Sequence, residues 1–289
     1  MTAQTLTTDP TVAPHDPAPT DHGARVARRP LVVVPTYNES ENLAAMVRMI
    51  RAAVPSIDIL IIDDASPDGT GQLAEDLNRT LGGIHVLHRA GKLGLGTAYV
   101  AGFRYALARD YSCVIEMDAD FSHDPSYLPH LLARAERDDL VIGSRYVPGG
   151  ATPDSRLLRR LISRGGNIFA RAVLGLPVRD CTAGFKCYRR DVLAAFDLDR
   201  ITLQGYAFQI ETVYQAHRRG FRIAELPIVF PDRRLGQSKM SRRIVAEAFT
   251  YVIRRRMGHD RAPVAQTSCA RGTKFGSYTP VIGVREHSS

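Results

Sequence analysis

Asp118-Ala119-Asp120 follows Cys113-Val114-Ile115-Glu116-Met117, a short apolar run with the composition of a buried strand. Two carboxylates two residues apart share one side of a strand that continues, and both can reach one divalent ion where the chain turns. Mg²⁺ and Mn²⁺ favour hard oxygen ligands and keep substrate phosphates in their shell. Asp118 and Asp120 are therefore the expected metal ligands, with Mg²⁺ or Mn²⁺ as cofactor. The same pair in a solvated loop would carry no such meaning; its place at a strand end, with His123-Asp124-Pro125 opening a helix, supplies it. His123 is read as orienting this loop, and no histidine stands in a convincing position for a general base.

A second cluster lies in Val34-Pro35-Thr36-Tyr37-Asn38-Glu39. Pro35 cannot donate to a sheet ladder, so a strand must end near it. Tyr37 offers a face for a nucleobase and Glu39 an acceptor. Asp63 and Asp64, ending another apolar run, could accept from a base N–H or from ribose hydroxyls, whereas Asp68-Gly69-Thr70 reads as a turn and helix cap. Gly91-Lys92-Leu93-Gly94-Leu95-Gly96 precedes a helix but fits neither G-x-G-x-x-G, because Tyr99 stands at the third glycine, nor a Walker A loop. Lys92 could still line a diphosphate site. Arg145, Arg159 with Ser163 one turn later, and Arg233 with Lys239 supply phosphate-seeking groups from three segments. Any one of these arginines alone reads as a solvated surface charge; together, beside an acidic metal motif, they do not.

These residues need a scaffold. Apolar runs at 31–35, 57–63, 84–88, 113–118 and 140–143 alternate with helical patterns at 40–53, 70–80, 94–110 and 125–137. Continuous apolar strands alternating with amphipathic helices predict an α/β fold, a mostly parallel sheet covered on both faces. Ligands on such sheets bind at the carboxyl ends of the strands, where the polar residues cluster. The second half predicts a helix over 157–174, strand-like segments at 183–188 and 221–230, and helices over 208–219 and 241–256. The boundaries read as an N-terminal arm over 1–29, one catalytic domain over 30–257, and a poorly ordered tail over 258–289. Among 289 residues, 44% hydrophobic and 24% charged content is ordinary for a globular chain, and no apolar run is long enough to span a bilayer. Residues 1–29 lack the apolar centre of a signal peptide. Cys113, Cys181, Cys187 and Cys269 form no C-x-x-C pair and read as free thiols of a reducing compartment. The net charge of +8 invites an anionic partner.

The set V-P-T-Y-N-E, D-D-x-S-P-D-G-T, G-L-G-x-A-Y, M-D-A-D-F-S-H-D-P, G-S-R-Y-V-x-G-G, D-x-T-x-G-F and R-x-L-G-x-S-K-M resembles the polyprenol-phosphate (dolichol-phosphate) mannose synthases. These are a branch of the family 2 inverting glycosyltransferases with a GT-A fold. The resemblance runs from Leu31 to about Met257. It implies that Pro35, Tyr37, Glu39, Asp63 and Asp64 hold the nucleotide of GDP-mannose, with Asp118 and Asp120 on the metal. It implies that Arg145, Arg159 and Ser163 grip the acceptor phosphate of a polyprenyl phosphate, and that Arg233 and Lys239 close over the donor phosphates. Asp180 matches a pocket acid near the sugar. Two departures stand out: the chain has no Trp, with Ser155 near the position where the family commonly has one, and Ser122 occupies a position that is Gln in some relatives.

A phosphate monoester is largely anionic at pH 7, its second pKa being ~6, so such an acceptor needs no strong general base. Direct displacement then gives inversion. The helices over 157–174 and 241–256 carry apolar stripes with cationic flanks, as expected of helices lying on an anionic membrane, although packing on the domain would use the same stripes. The expected location is the cytoplasmic face of a membrane, peripherally, with a separate membrane protein as a candidate anchor and no nucleic acid as partner. The rival readings are a UDP-glucose or UDP-N-acetylglucosamine transferase to lipid phosphate, a sugar-1-phosphate nucleotidylyltransferase, and a non-catalytic basic binding module.

Overall fold

The computed structural model describes residues 29–153, 157–231 and 242–258, and only the backbone of 157–159 and 242–245. The arm and the tail lie outside the described residues apart from Arg29 and Gly258, as do Arg156, Arg233 and Lys239.

One sheet of seven strands organises the chain: β1 (Pro30–Thr36), β2 (Asp58–Asp63), β3 (Ile84–His88), β4 (Cys113–Glu116), β5 (Leu140–Ser144), β6 (Lys186–Arg189) and β7 (Ile223–Pro227). Their spatial order is β3-β2-β1-β4-β6-β5-β7. All pairings are parallel except those of β6, which runs antiparallel to both β4 and β5. The helices are α1 (Ser40–Ala53), α2 (Thr70–Leu81), α3 (Leu95–Leu107), α4 (Leu128–Arg134), α5 (Leu157–Leu174), α6 (Arg190–Ala194), α7 (Gly205–Arg218) and α8 (Arg242–Met257).

The strand period of two divides the core into two layers. Leu31 and Val33 of β1, with Leu60 and Ile62 of β2, face the α3 and α7 layer with Tyr99, Phe103 and Phe208. Val32, Val34, Ile59 and Ile61 face the other layer, with Leu43, Met46 and Ile50 of α1. The expected continuous apolar runs are thus strands buried on both faces. Helix α3 sits so close to the sheet that a Cβ on Gly102 would lie 2.6 Å from Val33 Cγ1 and 3.2 Å from Ile62 Cδ1. Gly102→Ala is expected to cost about 1–3 kcal/mol through overpacking, measurable as a shifted denaturant midpoint at unchanged slope.

Three elements differ from the expectations. The helix expected over 125–137 is a 3₁₀ turn at Pro125–Tyr127 followed by α4 alone. Helix α6 has no counterpart among the expected elements; at five residues it is too short to show a helical period. The strand expected at 221–230 shortens to β7 plus a single bridge from Val229 to Ala151.

Since β4 and β5 are both antiparallel to β6, they run parallel to each other. The loops that leave β1, β2, β4 and β5, and the loop that enters β6, therefore share one edge of the sheet. That edge carries the candidate site.

Candidate active site

Strand β4 ends at Glu116, and Met117 N–H still bonds Val33 O at 3.1 Å. Asp118 to Asp120 then lie in a loop, so the chain turns at the acidic pair instead of continuing as strand. The loop is locked from several sides. Asp118 N–H donates to His123 Nδ1 at 3.0 Å, while the His123 ring stacks on Phe185 at 4.9 Å and meets Phe230 at 5.5 Å. His123 thus orients the loop, as expected. Asp120 Oδ1 accepts from Ser122 N–H at 3.1 Å and from the Ser122 hydroxyl. Asp118 Oδ1 accepts from the Tyr99 hydroxyl at 3.1 Å. Tyr99 is fully buried and stacks on Phe208, so its hydroxyl is a fixed donor. Among the described residues no group of three or more His, Cys, Asp or Glu side chains could hold a metal. Two carboxylates on a turn nevertheless fit Mg²⁺ or Mn²⁺, which bind through one or two protein carboxylates and take their other ligands from substrate phosphates and water.

Backbone strain marks the same edge. Asn38, Ala65 and Phe121, each in a loop leaving β1, β2 or β4, have φ of 59°, 53° and 61°. Non-glycine residues enter this left-handed region at a cost of roughly 1 kcal/mol or more, and such residues gather at functional sites.

The expected nucleotide residues meet in these loops, with differing freedom. Lys92 Nζ lies 4.0 Å from the centre of the Tyr37 ring, joining the loop after β3 to the loop after β1. Glu39 Oε2 accepts from Asn42 Nδ2 at 2.8 Å. Pro35 stays within β1, opposite Ile62. Asp63 is buried, its oxygens accepting from Ser66 N–H, Ser66 Oγ and Thr36 Oγ1, so its carboxylate builds the loop after β2. Asp64 pairs with Arg89 at 2.9 Å and accepts from Leu93 N–H at 3.2 Å, which ties it to the glycine-rich segment. Burial raises the Asp64 carboxyl against the opposing pull of Arg89. Asp68 closes the expected turn, its Oδ1 accepting from Thr70 N–H and Thr70 Oγ1, while Gly69 takes the N-cap position of α2.

Arg145 and Asp180, expected as separate contacts to phosphate and sugar, are one unit. Arg145 Nε and Nη2 each donate to Asp180 at 2.8 Å, and Arg145 N–H adds a third bond at 3.0 Å. Asp180 is fully buried. Burial alone would raise its carboxyl, but Arg145 holds it below the usual carboxylate range. Burial likewise opposes the Arg145 charge, and Asp180 more than offsets it. In this arrangement the Asp180 carboxylate, expected as an acid beside the sugar, holds Arg145. Ser163 Oγ pairs with the Tyr146 hydroxyl at 2.8 Å. Arg159 lies in α5 one turn before Ser163, with its side chain outside the description.

Several contributors escaped the sequence reading. Phe230 touches both sides of the site, 5.5 Å from the His123 ring and 5.4 Å from the Arg145 guanidinium. Behind the acidic loop, Glu116 faces Lys186 across the β4–β6 pair, and both are fully buried. Lys186 Nζ donates to Gln209 O at 2.9 Å, Gln209 Oε1 at 2.5 Å and Thr212 Oγ1 at 3.1 Å. The Tyr188 hydroxyl lies 3.1 Å from Glu116 Oε1. Burial pushes the Glu116 carboxyl up to about 7 and the Lys186 ammonium down to about 8, each partly restrained by the other's charge.

A mostly parallel seven-stranded sheet flanked by helices, with an acidic pair on a turn at its carboxyl edge, is the architecture of a GT-A glycosyltransferase. The chain belongs to glycosyl transferase family 2, whose model matches residues 31–196. It is 50% identical over 226 residues to an undecaprenyl-phosphate mannosyltransferase of Micrococcus luteus, an alignment covering 78% of this chain and 93% of that one. It is 46% identical to a polyprenol monophosphomannose synthase of Mycolicibacterium smegmatis, covering 78% and 85%. Among solved structures, glucosyl-3-phosphoglycerate synthase of Mycobacterium tuberculosis, determined with Mn²⁺, UDP and glucosyl-3-phosphoglycerate, superposes with a TM-score of 0.58 at 20% identity, over 80% of this chain and 81% of that one. A mannosyltransferase of Pyrobaculum calidifontis, determined with GDP-mannose and Mn²⁺, gives 0.54 at 17%, over 79% and 65%.

Proposed function

We propose that this glycosyltransferase moves mannose from GDP-mannose to a polyprenyl monophosphate with inversion, giving a β-linked mannosyl phospholipid. The observation that carries the reading is a cavity of about 90 Å³ between α5, α7 and α8, lined by Ser163 and Thr182 at one side and by Phe169, Ile210, Phe249 and Val252 elsewhere. A phosphate held by Arg145 and Ser163 would have an almost wholly apolar recess beside it, which suits the first units of a prenyl chain and not a sugar or a soluble phosphate. Identities of 46–50% to proteins named for polyprenyl-phosphate mannose transfer support the same acceptor and the same sugar.

Asp118 and Asp120 would hold Mg²⁺ or Mn²⁺, which when bound stabilises charge on the departing diphosphate. Tyr99 and His123 fix the acidic loop in advance, so little reorganisation accompanies the reaction. Tyr37, Glu39 and Lys92 form the nucleotide side, and Arg233 and Lys239 are assigned to the donor phosphates from outside the described residues. Arg145, Arg159 and Ser163 hold the acceptor while leaving one anionic oxygen to attack.

No helix among the described residues is long and apolar enough to cross a membrane. Instead α5 exposes Leu161, Ile162 and Ile168, and α8 exposes Phe249 and Met257, beside exposed Arg160, Arg164, Arg254 and Arg256. The α5 and α8 faces meet through the stacked rings of Phe169 and Phe249, 4.6 Å apart. Apolar side chains interleaved with cations suit an anionic bilayer surface, which is where the acceptor resides. The peripheral location, on the cytoplasmic face and with a separate anchoring protein as a candidate partner, belongs to this proposal.

Arg159→Ala and Ser163→Ala test the acceptor site. Each is expected to raise KM for polyprenyl phosphate by roughly tenfold or more, the scale of a hydrogen bond to a charged group, with KM for GDP-mannose within about twofold. Equal changes in both constants would contradict the assignment.

A further inference from the structure

Asn167 lies on α5 one turn after Ser163 and is buried, and nothing in the acceptor assignment uses it. Its hydrogen bonds fix its orientation without ambiguity. Cys181 N–H can only donate, and it donates to Asn167 Oδ1 at 2.9 Å. The Asn167 amide nitrogen therefore faces the other way, donating to Ser163 O at 3.1 Å and to Thr182 Oγ1 at 2.8 Å. Thr182 Oγ1 also accepts from Arg145 Nη2 at 2.9 Å. A hydroxyl oxygen has two acceptor sites and one proton. With both acceptor sites filled by obligate donors, the Thr182 proton goes to Asp180 Oδ1, 3.3 Å away.

The same accounting applies to Arg145, which has five N–H donors in a rigid plane. Nε and one proton of Nη2 go to Asp180, and the second proton of Nη2 goes to Thr182. Neither proton of Nη1 has a hydrogen-bond acceptor among the described residues. The guanidinium thus presents one edge, and Thr182 sets which edge it is.

We infer that Asn167 and Thr182 are the positioning pair of the acceptor site: Thr182 fixes the Arg145 plane so that Nη1 faces the acceptor phosphate, and Asn167 holds α5, with Ser163, in register with that plane. Neither residue touches the reacting atoms; both act through Arg145 and Ser163. The inference rests on the acceptor reading above and adds to it that two segments, α5 and the loop before β6, must be tied together for the phosphate to be gripped from both sides.

The experiment is steady-state kinetics on the full chain with polyprenyl phosphate in detergent micelles and GDP-mannose, comparing Thr182→Val, Thr182→Ser and Asn167→Ala. Thr182→Val and Asn167→Ala are expected to raise KM for polyprenyl phosphate roughly tenfold, with KM for GDP-mannose within about twofold. Thr182→Ser keeps the hydroxyl and is expected to restore the acceptor constant. The double variant is expected to lose little beyond either single variant, because both act on one network. A purely structural role would lower the melting temperature and move both constants together, with Thr182→Ser no better than Thr182→Val; that result overturns the inference. Unchanged acceptor constants in Thr182→Val and Asn167→Ala overturn it while Arg159→Ala and Ser163→Ala still show the acceptor effect. If those two reference variants also leave the acceptor constant unchanged, the acceptor reading itself falls and the positioning pair falls with it.

Discussion

Asp120→Ala is expected to lower mannosyl transfer by about 10³-fold or more while leaving the chain folded. The large effect follows from where the carboxylate sits. Asp120 is 7% exposed, in a loop whose shape is set by His123 on the Asp118 amide and by the left-handed Phe121. Its Oδ1 accepts from the N–H and hydroxyl of Ser122, two residues on, within the same loop. In the proposed mechanism, removing it takes away a charge that would hold the ion on the leaving diphosphate, from a loop outside the strands and helices. Loss of one preorganised electrostatic group costs about 10²–10³-fold, and loss of a metal ligand also takes part of the ion's contribution. Turnover at saturating donor and acceptor, alongside a thermal melt, checks the prediction. A variant that keeps most of its activity would show that the ion is not held there. Asp118→Ala is expected to behave in the same way, since Asp118 is oriented by Tyr99.

Lys186→Met is expected to destabilise the fold by about 3–5 kcal/mol near neutral pH, the cost of breaking a buried charge pair from one side. Lys186 is fully buried and supplies donors to Gln209 and Thr212, while its charge restrains the upward shift of Glu116. Without it, Glu116 faces burial alone. A carboxyl whose folded pKa is raised contributes stability below its unfolded pKa and loses it as pH rises through the folded value. The deficit of Lys186→Met should therefore be greatest above pH 7, the shifted position of Glu116 in the intact chain. It should shrink below pH 7, where the folded Glu116 carboxyl is protonated with or without Lys186. Denaturant unfolding of both proteins from pH 4.5 to 8 measures this; a deficit independent of pH would mean that packing, not charge, is what Lys186 supplies.

The strands and the acidic loop were legible in the sequence because their signals are local. A run such as Ile57-Asp58-Ile59-Leu60-Ile61-Ile62 can be read within a few residues, and so can Asp118-Ala119-Asp120 beside His123. What could not be read depends on contacts between distant segments. Arg145 and Asp180 are 35 residues apart, and only the reversal of the chain into antiparallel β6 brings the loop before it back onto the end of β5. Read singly, one was a phosphate ligand and the other an acid; brought together, each fixes the other's charge. The bonds that Ser66 and Thr36 make to the Asp63 carboxylate were likewise invisible, because Thr36 reaches it only once β1 and β2 pair. Phe230 carries no chemical signal in its type or spacing, yet it contacts both His123 and Arg145. Lys186 sits in a segment read as strand, and nothing local marks its ammonium as buried opposite Glu116.

The most direct test of the central claim is label transfer. The purified full chain is incubated with Mg²⁺, a polyprenyl phosphate and GDP-mannose labelled in the sugar, and label is counted in the organic phase. Label is expected to appear there, to require the divalent ion, and to be lost in Asp120→Ala. Label carried into lipid from UDP-glucose but not from GDP-mannose would contradict the donor assignment, and label that appears equally with Asp120→Ala would contradict the site.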